Sequence, residues 1–152
     1  MGTMFRVFAK LTDGPMPDAI AGCLQTLSST VSTEFQGDEV GWFRGIINIP
    51  ELGNVLTLER YLTSEQGIRA ELNRWVAWLE THESNPQLGL LIDHLTATSQ
   101  LFTITVDGDE SSQALSLGTS LSRFIARQTD AIYQIDGQGF FDMDGALLLR
   151  ED

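Results

Sequence analysis

The stretch "QIDGQGFFDMDGALLL", from Gln134 to Leu149, holds three aspartates, three glycines and two adjacent phenylalanines. Carboxylates at Asp136, Asp142 and Asp144 could supply oxygen ligands to Ca²⁺ or Mg²⁺. Asp107, Asp109 and Glu110, in "DGDESS", form a second acidic group. Neither has the spacing of a calcium-binding helix–loop–helix, which requires a glycine at the sixth loop position and a glutamate at the twelfth. Counted from Asp107, those positions hold Ser112 and Gly118; counted from Asp142, the chain ends first. Asp107, Asp136 and Asp144 each precede a glycine, the pair a tight turn needs because both residues tolerate positive φ. Asp109 or Ser111 can also cap a following helix. Turn and cap chemistry therefore accounts for these residues. Asp107, Asp109, Asp136, Asp142 and Asp144 remain the candidates should the chain bind a divalent cation.

The other reactive residue types form no catalytic pattern. His82 falls at a helix end and His94 beside an apolar helical stripe, with Glu83 and Asp93 as the nearby carboxylates. Cys23 is the single cysteine, which excludes an intramolecular disulfide and a cysteine-based zinc cage. It lies on an apolar stripe, as a small buried hydrophobe would. There is no G-x-S-x-G elbow and no S-x-x-K. "GQGFFD" lacks the third glycine of a dinucleotide fingerprint, and with Lys10 as the sole lysine no phosphate loop exists. No catalytic residue and no cofactor is implied. The residues suited to recognition are Trp42, Trp78 and Arg74, since Trp and Arg are enriched at binding hot spots. Trp42 and Phe43 are adjacent on a strand pattern, so strict alternation sends one of them away from the core.

These side chains hang on elements that hydrophobic periodicity makes visible. "MFRVFAKL" alternates with period two, placing Phe5, Val7, Ala9 and Leu11 opposite Arg6 and Lys10. Ile20, Cys23, Leu24 and Leu27 predict an amphipathic helix from about Pro17 to Ser29. "VSTEFQ", "WFRGIINI" and "NVLTLERYL" read as three strands, the last placing Arg60 in a row with Leu56, Leu58 and Leu62. A helix is predicted from Thr63, with Thr63 and Gln66 as a capping box and Ile68, Leu72, Trp75, Val76 and Leu79 as its stripe. A second begins at Pro86 with Asn85 as cap, and the two make an antiparallel hairpin. "LFTITV" is a strand, and Ala114, Leu117, Gly118, Leu121, Phe124 and Ile125 line the next helix. "AIYQI", "GFFDM" and "ALLL" are short strands. The expected architecture is α+β: a two-layer, mostly antiparallel mixed sheet with helices on one face. The order allows two βαββ halves with an inserted helical hairpin.

Bulk properties narrow the function classes. The 152 residues suit a single globular domain spanning 1–152, and 42% hydrophobic content is globular. No apolar run approaches the ~20 residues of a membrane span, and the opening residues, without a basic start followed by a long apolar stretch, lead to the expectation of no signal peptide. A bacterial-type cytoplasmic protein is expected. The net charge of −12 repels phosphate backbones and anionic membranes, so neither is an expected partner. The leading expectation is a small, acidic, soluble, non-enzymatic module that binds another protein or pairs with itself. One alternative is a small enzyme or ligand-binding domain with a divalent-metal carboxylate site. The other is an inhibitor or immunity-type protein shielding a basic target.

Overall fold

A computed structural model describes residues 3–65, 67–108 and 111–151. The first half runs β1 (Met4–Ala9), α1 (Pro17–Leu27), β2 (Ser32–Asp38), β3 (Gly41–Ile49) and β4 (Asn54–Leu62). A helical pair follows, α2 (Ile68–Glu80) and α3 (Leu88–Thr96). The second half runs β5 (Gln100–Asp107), α4 (Ser112–Thr129), β6 (Ala131–Ile135), β7 (Gly139–Phe141) and β8 (Leu147–Arg150). All eight strands form one antiparallel sheet in the order β2-β3-β4-β5-β1-β6-β7-β8.

The class is α+β, as the patterning indicates. The layering differs from the expectation, because helices cover both faces. Successive strand residues point to opposite faces, and Val7 and Phe8 lie in two separate cores. Val7 packs with Ile20 and Leu24 of α1 and with Leu121 and Ile125 of α4. Phe8 packs with Ile68, Leu72 and Leu79 of α2 and with Leu91 and Leu95 of α3. The two βαββ halves survive in chain order, with α2 and α3 inserted between them. The sheet order breaks their symmetry: β4 is the inner strand of its triplet and β6 the inner strand of the other.

Local chemistry explains most boundaries and moves two. Pro17 opens α1, where its missing N–H is no loss. Ser111 Oγ caps α4 by accepting from Ala114 N at 3.1 Å; Asp109 lies outside the described residues. The capping box at Thr63 does not start α2. That helix begins at Ile68 after Gly67 at φ 91°, Thr63 N donates to Ser99 O at 3.1 Å, and Gln66 lies outside the described residues. Asn85 makes a turn instead of a cap, its Oδ1 taking Gln87 N at 2.7 Å, so α3 starts at Leu88. Gly118 lets α4 approach the sheet: a Cβ there would stand 2.7 Å from the Phe5 ring.

Candidate functional site

The residues singled out for recognition do not converge. Trp42 sits in the α1–α4 core and is 8% exposed, so it is not a protruding anchor. The reason is a β-bulge. Gln36 pairs with Arg44 and Gly37 with Trp42, leaving Phe43 as the extra residue. The bulge turns Trp42 inward and leaves Phe43 exposed. Trp78 belongs to the opposite core, half-buried, with ring centroids 5.8 Å from Trp75, 6.0 Å from Phe140 and 4.3 Å from His82. Arg74 extends from α2 into solvent, 3.8 Å from Glu71.

The aspartates are likewise dispersed. Asp136 joins a cluster on the α2 side of the sheet, where its Oδ1 accepts from Arg6 Nη1 at 2.7 Å and from Gln134 Nε2 at 3.0 Å. Arg6 also lies 5.0 Å over the Trp75 ring and 3.9 Å from Glu71. Burial of Asp136 opposes its charge, but the bonds from Gln134 and Arg6, the Arg6 charge and Met4 N–H outweigh it and lower the carboxyl below its usual range. Arg6 is thus covered by α2 rather than facing water as the two-layer expectation had it. Asp142 Oδ1 accepts from Asp144 N and Ala146 N, both at 2.9 Å, shaping the turn before β8. Asp144 stands 3.7 Å from Arg127, and Asp107 takes Thr57 Oγ1 at 3.4 Å. Asp109 and Glu110 lie outside the described residues. Among the described residues no three His, Cys, Asp or Glu side chains group so as to hold a metal ion. His94 is buried, its Nε2 donating to Phe8 O at 2.8 Å. Burial pushes the Cys23 thiol up, away from reactivity.

A built crevice lies where the 12–17 loop meets the β2–β3 hairpin, with a volume of about 470 Å³. Its scaffold comes from three distant segments. Trp42 Nε1 donates to Pro15 O at 2.9 Å, pinning the loop to the core. Arg60 donates from Nε to Gln100 Oε1 at 2.7 Å and from Nη1 to Trp42 O at 3.1 Å, and its guanidinium lies 5.9 Å from the Trp42 ring centroid. Gln100 is fully buried, and its Nε2 donates to Leu11 O at 2.7 Å and to Gly14 O at 3.2 Å. One amide therefore holds both the loop and the arginine. Gly45 admits the Phe35 ring, which a Cβ would meet at 2.7 Å, and Phe35 in turn packs edge-on against Trp42 with centroids 5.4 Å apart.

The rim is apolar and acidic. Met16 and Val40 line the crevice at 66% and 69% exposure, while Leu11 and Phe43 adjoin its lining residues. Asp13 and Asp38 also line it. Among the described residues no Cys, His or Lys lines it. A larger depression of about 540 Å³, between the end of α1 and the start of α4, is lined by Ser28, Ser112, Ser116 and Ser120. Among the described residues its only charged lining side chain is Glu51, which accepts from Ser28 Oγ at 3.2 Å. Sequence patterning missed Arg60 and Gln100. Their signal was Arg60 itself, a cation in a row of buried leucines. No family model matches the chain, and no curated protein or solved structure does either.

Proposed function

We propose that this chain is an acidic, non-catalytic module that binds another protein through the crevice between the 12–17 loop and the β2–β3 hairpin. The observation that carries the reading is the placement of exposed apolar side chains. Of seven large hydrophobics exposed among the described residues, the two most exposed, Met16 and Val40, line the crevice, and Leu11 and Phe43 are the chain neighbours of its lining residues Thr12 and Trp42. Single exposed hydrophobics need no explanation, whereas a rimmed group over an ordered aromatic floor is how contact sites are built. The floor is preorganised by the Trp42, Arg60 and Gln100 bonds, which reduces the ordering cost of association. Net charge of −12 favours a target with a basic surface, as an inhibitor of such a target would need.

The test is retention of a partner from a lysate of the source cells on the immobilised chain. The Met16→Asp/Val40→Asp pair should abolish retention without lowering the melting temperature, because both side chains are solvent-facing and Asp is a favoured residue at position 16, the N-cap of α1. Equal retention by both forms overturns the reading, and so does retention of nothing by the parent chain.

A further inference from the structure

We propose that the outer edge of β2 accepts a basic, extended segment of the partner as an added ninth strand; this rests on the protein-binding reading and names how the partner is held. β2 ends the sheet, with β3 on one side and, among the described residues, no strand on the other. None of residues 33–37 makes a backbone hydrogen bond outside the β2–β3 ladder, so its outward N–H and C=O groups are free to pair. At seven residues it is longer than β8, the four-residue strand at the other edge. A row of unpaired peptide groups is a template for another chain, and main-chain bonds there supply affinity while flanking side chains supply selection.

The crevice adjoins this edge, since Phe35, Gln36 and Asp38 of β2 line it. An added strand would therefore run alongside Met16 and Val40. The charges choose the occupant. Glu34 and Asp38 lie on β2 and Glu39 follows it, all three exposed, and β2 carries no cation. The nearest cation of the hairpin, Arg44, is occupied by Glu59 at 3.0 Å. Two copies joined edge to edge would bring these carboxylates together within a pair of chains each at −12, so like-charge repulsion disfavours a second copy. A lysine- or arginine-bearing strand is attracted instead.

The test uses residue-resolved amide exchange on the full chain. The probes are a nine-residue peptide alternating Lys with Val or Thr, its Glu-for-Lys counterpart, and the Lys peptide with a central proline. The Lys peptide should slow exchange of the outward amides within 33–37 by about tenfold or more, since pairing must break before they exchange. The Glu and proline peptides should leave those rates unchanged. Glu34→Lys/Asp38→Lys, both exposed, should remove the protection. Binding of the Lys peptide without protection of β2, equal protection by the proline peptide, or no binding overturns the proposal. So does light scattering that shows a dimer whose β2 amides are already protected. A partner captured through Met16 and Val40 that leaves β2 exchange unaltered would keep the protein-binding reading and remove strand addition alone.

Discussion

His94 shows how a residue that looks reactive in sequence serves the fold. Its ring is buried beside Phe8, and the single bond from Nε2 to the Phe8 carbonyl requires a proton on that nitrogen. Desolvation lowers its pKa below 6.5; the Phe8 bond and Asp130 act in the opposite sense, and Lys10 adds to the lowering. The unfolded chain therefore takes up this proton before the folded chain does. Between the two pKa values the unfolded state binds more protons, so stability rises with pH, and the contribution levels off above about 6.5. Urea midpoints measured downward from pH 7.5 should fall once the pH drops below about 6.5. His94→Gln, which keeps an N–H donor without a titrating ring, should flatten that part of the profile. A profile identical in the two proteins would remove His94 as its cause. Trp42 and the aspartates of the C-terminal stretch share this character, with polar atoms committed to Pro15, to Arg6 and to turn amides.

At the scale of elements, the approach of α4 to β1 turns on Gly118. Alanine there would raise helix propensity by about 1 kcal/mol. Its Cβ would also sit 2.7 Å from two atoms of the Phe5 ring, which is 1% exposed and has nowhere to move. Overpacking of this kind costs about 1–3 kcal/mol, which offsets the propensity gain and leaves a net loss of up to about 2 kcal/mol. Gly118→Ala should lower stability by up to about 2 kcal/mol in urea unfolding, and an increase would mean that α4 can lift without loss. The strands and the helical stripes were legible in the sequence because periods of two and 3.6 are local signals. What those periods report is which side of an element is buried, never which face of the sheet receives it. The apolar stripes of α2 and α3 therefore indicate a hairpin but not that it covers the second face. The bulge at Phe43 was hidden for a related reason: the extra residue is defined by its missing partner on β2. The crevice was the least legible feature. Trp42, Arg60 and Gln100 meet only after three strands have paired, and the one local trace was a cation among leucines.

Across the whole molecule, one sheet is shared by two cores, and this sets how the chain should unfold. Val7 is paired across strands with Phe102, and both face the α1–α4 core; Phe8 is paired with Leu101, and both face the α2–α3 core. The same two central strands thus carry both cores, so neither face can lose its packing without loosening the backbone under the other. A single cooperative transition follows. The tryptophans report on it from opposite sides, Trp42 within one core and Trp75 and Trp78 against the other. Trp42→Phe leaves fluorescence that senses the α2–α3 face alone, and Trp75→Phe/Trp78→Phe leaves fluorescence that senses the α1–α4 face alone. Each variant will have its own stability, since each removes buried ring contacts, so the comparison is made within a variant and not between them. In each, the fluorescence and far-ultraviolet circular dichroism midpoints in urea should coincide, and the dependence on urea should match between variants because the surface exposed is nearly the same. Separated midpoints in either variant would show that one helical layer detaches before the sheet opens. Detachment of α2 and α3 would then leave the crevice, held from the other face by Trp42 and Gln100, as the more persistent part of the molecule.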